Sequence, residues 1–386
     1  ERPAAPSRGS HLPDAGACHL ATLDRLMLRV LMVTTSFPRH SEDVAGAFLL
    51  PLARMLAEET QLEVLAPHHP GRLEPLDGIH VSRFRYALTT EKLFYGAGAP
   101  VNLRTGGRAR IQAAGALASM TLHIRRRRPD VVFAHWLIPG ALAGVLSGIP
   151  TVAYAHGSDV RLLKHCPPLM RMIAARALVV APTATLAREL PVGASVLPLP
   201  VDEALDAAPL GRFDVGYLGR LIAQKGVGQL IRAAAISRRH LVIAGDGPER
   251  AALESLARAL NAEVTFLGWI PPSARGRLFA SVRVMAVPSV EAEGSPAVIA
   301  EAQAAGVPVV GFAVPGVAEG LHERAMTTVG DVDGLARLLV QAGEDALWRT
   351  ETLAHGRDAV ASRLPRMLAP SYMHLLHAAA TRSSHG

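Results

Sequence analysis

The run Glu293-Gly-Ser-Pro-Ala-Val-Ile-Ala-Glu301 constrains the fold more than any other segment of this chain. An apolar stretch, Val282-Arg-Val-Met-Ala-Val-Pro-Ser289, precedes it, and Gly306-Val-Pro-Val-Val-Gly311 follows. That order predicts strand, short loop, helix, glycine stop and strand, the crossover unit of a parallel sheet. Ser295 suits the helix N-cap and Pro296 the first helical position, because both fit the unsatisfied donors found there. Glu293 then lies in the loop at the carboxyl end of a strand. Glu301 lies about two turns into the helix, roughly 700° round, and so on nearly the same face as the loop. Open α/β sheets bind ligands at that edge, and helix N-termini attract phosphate. Two carboxylates flanking such a site suit hydroxyl groups, such as those of a sugar and a ribose. Taken alone, a Glu pair at this spacing is more often an ordinary surface pair.

The pair does not stand alone. Upstream, Val215-Gly-Tyr-Leu-Gly-Arg220 reads as a strand ending in Gly219-Arg220, followed by Lys225-Gly226 and a helical run from Val227 to Ile236. An Arg and a Lys between a strand end and a helix start can converge on one diphosphate, the first as a planar fork and the second as a point charge. Leu241-Val-Ile-Ala-Gly-Asp-Gly-Pro-Glu249 and Val264-Thr-Phe-Leu-Gly-Trp269 add two more strand ends with glycine-rich loops.

In this order the motifs resemble the donor domain of retaining GT-B glycosyltransferases of family 4. The first half is similar to that family too. Val30-Leu-Met-Val-Thr-Thr-Ser-Phe-Pro38 with Ala45-Gly46-Ala47-Phe48 resembles its opening strand and glycine loop. Arg128-Pro-Asp-Val-Val-Phe-Ala-His135-Trp136 and Ala155-His156-Gly157-Ser158-Asp159 resemble its later strand ends. The resemblance covers roughly residues 28–380. It departs from the family at Leu199-Pro200-Val201-Asp202, where an Asn-Gly pair is frequent before Val-Asp. It departs again at Ser295-Pro296, where many members carry an aromatic and a second glycine.

The resemblance implies an α/β chain of GT-B architecture: two Rossmann-like domains facing across a cleft, with a C-terminal helix crossing back to the first. It implies a hexose-type transfer, with retention, from a nucleotide-diphosphate sugar to a hydroxyl of a saccharide or lipid-linked acceptor. Arg220, Lys225 and the helix start after Glu293-Gly294 then match the charge of the leaving diphosphate, with no metal and no cofactor required. Glu301 binds the ribose and Glu293 the donor-sugar side, near the backbone of Gly294, Ser295 and Pro296. Gly219 and Gly245 line the donor loops, Gly46 lets backbone approach from the opposite domain, and Trp269 lines the base or is a rim aromatic. His156 bonds a donor-sugar hydroxyl or positions the backbone. His135, Trp136 and Asp159 are acceptor-side candidates, Asp159 serving equally well to orient His156. The only Asp-x-Asp, Asp331-Val-Asp333, reads as a helix N-cap. A sugar-nucleotide epimerase or a phosphorylase shares this plan. A noncatalytic protein bound to membrane or nucleic acid through its basic half is the alternative from another class.

Composition narrows the classes. A 386-residue chain with 49% hydrophobic and 19% charged residues is globular and long enough for two domains. Cys18 and Cys166 fit neither a metal spacing nor a disulfide framework, which suits a reducing cytosol. Leu137–Ala155 is the most apolar region, but Pro139, Pro150 and its glycines break it into helix then strand. Residues 1–26 have no basic segment leading into an apolar core; they read as a disordered extension with Met27 a candidate start.

Charge is unevenly shared. Residues 1–200 carry 22 Lys and Arg against 14 Asp and Glu, the remainder 18 against 19. The block Arg125-Arg126-Arg127-Arg128 either satisfies a helix C-terminus or meets an anionic membrane from the cytoplasmic side. No aromatic platform accompanies the charge, so nucleic acid is not expected.

Strands are expected at Val30–Thr34, Leu62–Ala66, His80–Arg83, Val131–Ala134 and Thr151–Ala155, with helices at Phe48–Glu59, Arg108–Arg127 and Ile138–Leu146. The expected domains are residues 27–198 and 199–368, followed by a crossing helix and tail over 369–386 that is helical from Pro370 to Thr381. Glu91–Arg104 is expected to form an acceptor-side loop or a simple connection.

Overall fold

A computed structural model describes residues 27–71, 73–76, 78–87, 93–94, 102–103, 107–203 and 207–382. The extension over residues 1–26, including Cys18, and most of the loop expected over Glu91–Arg104 lie outside the described residues.

Two parallel sheets organise the chain. The first contains β1 (Arg29–Val33), β2 (Gln61–Pro67), β3 (His80–Phe84), β4 (Val131–His135), β5 (Thr151–Tyr154), β6 (Ala177–Ala181) and β7 (Ser195–Val196). Their order is β3-β2-β1-β4-β5-β6-β7. The second contains β8 (Phe213–Leu218), β9 (Leu241–Ala244), β10 (Val264–Gly268), β11 (Val282–Val287), β12 (Val309–Phe312) and β13 (Met326–Thr327), ordered β10-β9-β8-β11-β12-β13. Central strands are continuous apolar runs, such as Val-Val-Phe-Ala in β4, because helices cover both faces of a parallel sheet. Winding reverses between β1 and β4 and again between β8 and β11, which puts a ligand crevice at the carboxyl end of each pair.

The carboxyl edges of the two sheets meet. Arg161 Nη1 donates to Ala292 O at 2.9 Å, and Ser273 Oγ donates to Glu42 at 2.7 Å. The terminal helix Pro365–Arg382 buries Leu368, Tyr372, Leu376 and Ala379 on the first domain, in one cluster with Leu52, Leu56 and Phe133. Tyr372 Oη donates to Pro198 O at 2.9 Å, anchoring this crossing helix to the interdomain linker.

Several expectations change in detail. The crossing helix starts at Pro365 rather than Pro370, so Pro370 lies inside it. Pro370 is the sixth helical residue, past the four N–H groups that lack a partner, so its ring removes one intrahelical bond, the one to Arg366 O. Ile138–Leu146 is not one helix: a widened turn over Leu137–Ala141 precedes a helix at Leu142–Ser147. Pro139 has no N–H with which to continue a regular ladder. Ser295 caps nothing; the helix is Ala297–Ala304, and Pro296 occupies the cap position with extended ψ. The extended ψ of Pro296 itself keeps it out of the helix, which displaces the start by one position. Asp331 does cap the helix Val332–Glu344, accepting from Gly334 N at 2.8 Å. No helix among the described residues is long and apolar enough to cross a membrane.

Candidate active site

The second-domain edge is built on glycine. A Cβ on Gly245 would lie 1.8 Å from Gly219 O, and Gly245 N donates to Gly268 O at 2.7 Å. The ends of β8, β9 and β10 are therefore held backbone against backbone at these glycines. A Cβ on Gly226 (φ +63) would lie 2.1 Å from Pro288 O, a close approach that draws Lys225 over the loop after β11. There Lys225 Nζ bonds both carboxylate oxygens of Glu293 at 2.6 Å, and Ser289 Oγ donates to one of them. Glu293 N donates to Pro315 O at 2.9 Å, with Gly316 packed against its carbonyl.

Arg220 is exposed, and its guanidinium has no hydrogen bond or ion pair with any described residue. Its backbone oxygen accepts from Tyr217 Oη at 2.9 Å. Burial, and then the nearby Glu293 charge, push the Tyr217 phenol upward, so it remains a neutral donor. Glu301 is reached by a residue that no motif announced: Arg275 Nη1 donates to its Oε1 at 2.7 Å. Trp269 stands at the rim, 53% exposed.

Across the cleft, His156 is packed among rings. Trp136 stacks on it at 4.3 Å between centroids, and Phe48 meets it edge-on at 5.6 Å. His156 Nε2 lies 3.0 Å from His135 Nδ1. Burial holds the His156 imidazole down to about 3, and burial followed by the neighbouring His156 lowers His135 as well, so the pair is neutral. Asp159 accepts from Leu137 N at 2.8 Å, His156 N at 2.9 Å and Val160 N at 3.0 Å, clamping the loops after β4 and β5 together. Burial raises its carboxyl although these bonds oppose the shift.

The two half-sites touch. A Cβ on Gly294 would lie 2.6 Å from His156 O, and one on Gly157 (φ +85) 3.0 Å from Gly294 Cα. Glu293-Gly294 and His156-Gly157 thus form one constellation, with Arg220 and Lys225 alongside. Ser295 and Pro296 follow directly, partly buried, at the start of the helix that carries Glu301. Gly46 (φ +73) packs on Ser36 O and turns the chain toward Phe48.

Two acceptor-side candidates do not face the cleft. His135 is fully buried behind His156, and Asp159 is 3% exposed with its oxygens engaged by backbone donors. His135 ends β4 and Asp159 lies in the first turn of the helix Ser158–Leu163; packing turns both inward, and both support His156. Trp136 remains partly exposed beside it. Sequence reasoning missed Arg275, Ser289 and the Pro315-Gly316 turn, none of which carries a spacing signal. Among the described residues, no group of three or more His, Cys, Asp or Glu side chains is arranged to hold a metal.

Both halves of the chain match families of glycosyltransferases. Residues 212–345 match the family model described as glycosyl transferases group 1, and residues 45–202 match that of glycosyltransferase family 4. A Bacillus subtilis (strain 168) protein assigned by name to teichuronic acid biosynthesis as a glycosyltransferase is 26% identical over 269 residues, 61% of this chain and 67% of that one. The GDP-mannose-dependent monoacylated alpha-(1-6)-phosphatidylinositol monomannoside mannosyltransferase of Corynebacterium glutamicum is 30% identical over 178 residues, 42% of this chain. That match spans 47% of the Corynebacterium protein. In fold, the chain is similar to Anabaena HepE in complex with UDP and glucose, with a TM-score of 0.68 and 20% identity over 91% of this chain and 99% of that one.

Proposed function

The chain belongs to the family 4 glycosyltransferases of group 1, and on that premise we propose that it moves a hexose-type sugar, with retention and without a metal, from a nucleotide-diphosphate donor to a hydroxyl acceptor. The observation that carries this reading is the meeting of Glu293-Gly294 with His156-Gly157 beside two cations. Arg220 has its whole fork available for a diphosphate. Lys225 has three donors and uses two on Glu293, which leaves one for a phosphate oxygen. Together they neutralise the departing charge in a partly enclosed site, where such charges act strongly. His156, neutral and ring-packed, serves as a hydrogen-bonding group for the sugar and not as a proton carrier at neutral pH. Domain closure excludes water from the oxocarbenium-like transition state.

The test is calorimetric titration of UDP, GDP and ADP and then of their sugars; the names of the relatives make UDP- and GDP-sugars the first to try. Arg220→Ala is the cleanest variant, because that side chain has no partner among the described residues whose loss would confuse the result. One nucleotide should bind without added metal, and Arg220→Ala should lower the transfer rate about 10²-fold. Absence of binding by every nucleotide would overturn the assignment.

We further propose that the chain works in the cytoplasm at an anionic membrane, where a lipid-linked acceptor would be found. The helix Gly107–Arg127 contains no acidic residue and exposes Ile111 (74%) and Leu122 (45%) near its arginines. Arg125 donates to Leu146 O and Arg127 pairs with Glu63, whereas Arg126 and Arg128 are not so engaged. Arg126→Gln/Arg128→Gln should therefore weaken pelleting with anionic vesicles by about 1 kcal/mol per charge and leave folding intact. Equal pelleting of both proteins would remove the membrane from the proposal.

A further inference from the structure

Glu301 and Arg275 come from different helices, Ala297–Ala304 and Pro272–Ala280, and both side chains are largely enclosed, at 21% and 23% exposure. Arg275 Nε is sealed from solvent with no partner among the described residues, so the guanidinium is held chiefly through its bond to Glu301 Oε1. Glu301 Oε2 has no partner among the described residues and is not sealed. We propose that Arg275 is a positioning residue of the donor site, which holds Glu301 through Oε1 and leaves Oε2 open to accept from a vicinal diol.

A carboxylate can accept from both hydroxyls of a ribose, whereas its neutral acid must itself donate and loses that capacity. Burial drives Glu301 toward the neutral acid, and the charge and hydrogen bond of Arg275 oppose it. Asp202, carried in by the linker and paired with Arg54 at 2.8 Å, pushes in the same direction as burial. The strands and the helix Ala346–Ala361 that pack against Ala297–Ala304 bring no further charge to bear among the described residues. Removing Arg275 therefore leaves an enclosed carboxyl facing only a like charge.

This role rests on the donor-site assignment above, so two readouts separate the failure of one from the failure of the other. The first is calorimetry of the bound nucleotide and its 2′-deoxy analogue between about pH 6.5 and 8.5, on wild type, Arg275→Met, Arg275→Lys and Glu301→Gln. Arg275→Met should weaken ribonucleotide binding at the lower pH more than at the higher, by no more than about tenfold, the limit for a carboxyl that titrates about one pH unit higher than before. It should also narrow the preference for the ribonucleotide over the 2′-deoxy form. Arg275→Lys should restore most of the affinity, and Arg275→Met should add little in the Glu301→Gln background. A loss that is independent of pH and not rescued by Lys marks a purely structural residue and overturns the proposal. The second readout is the ¹³C titration of the Glu301 carboxyl, assigned by difference with Glu301→Gln, and it needs no ligand. A titration midpoint about one pH unit higher in Arg275→Met supports the role, and an unchanged midpoint refutes it even if no nucleotide binds.

Discussion

His156 is a base kept neutral by its packing, and that has a consequence for stability. Its folded value of about 3 lies below the ordinary imidazole value of 6.5, so the unfolded chain takes up the proton first on acidification. The contribution is complete above about pH 6.5 and is lost as the pH falls toward about 3; His135 acts in the same direction. Urea unfolding across this window should show a falling midpoint, with a shallower decline in His156→Gln. An identical decline in that variant would mean that the ring titrates normally. Lys225 and Glu293 behave differently, because each leaves the other enclosed and uncompensated when removed. With 19% and 13% exposure, Lys225→Met should cost about 3 kcal/mol, and adding Glu293→Gln should recover part of it. Unfolding of the single and double variants measures this directly. The motif residues were legible in the sequence as strand-end groups, but their partners were not. Nothing in the spacing of Lys225 and Glu293 says that the two meet.

At the level of elements, close backbone approach decides the shape of the donor edge. Gly245→Ala puts a Cβ into Gly219 O at a φ of +145, so the β9 loop must move. A loss of at least about 1 kcal/mol is expected, with faster hydrogen exchange at Gly219 and Gly245. Gly193→Ala is the control: its Cβ meets nothing within 4 Å, and its stability should stay within about 0.5 kcal/mol of wild type. Element type was readable wherever an apolar run ended in glycine, as in β8, β9 and β10. Beyond β5 the first domain was harder to read. Ala177–Ala181 forms β6 and Ser195–Val196 forms the two-residue β7, the latter too short to leave a pattern. Helix starts shifted wherever proline intervened, at Pro139, Pro296 and Pro370 alike, because its local effect depends on where the surrounding chain is tethered.

For the whole molecule, the contact between Gly294 and His156 O sets how closely the domains approach. Gly294→Ala inserts a methyl group 2.6 Å from that oxygen without requiring a left-handed backbone, so strain falls on the interface and not on the second domain. Small-angle scattering should show a larger radius of gyration with a nearly unchanged unfolding midpoint, and transfer should slow. Unchanged scattering would mean that the interface yields in some other way. The crossing helix holds the arrangement from behind: Leu376 is fully buried against the first domain, and Leu376→Ala should cost about 3 kcal/mol in denaturant unfolding.

By itself the sequence determined two wound parallel sheets, the glycine-rich loops at their carboxyl ends and the identity of the charged groups carried there. These are consequences of local periodicity and of backbone space, which neighbouring residues encode. Only the tertiary structure decided that Lys225 lies on Glu293, that Arg275 reaches Glu301, and that His135 and Asp159 stand behind His156 instead of beside it in the cleft. Those outcomes depend on which strand ends become neighbours and on how tightly the domains close, and packing over the whole molecule sets both.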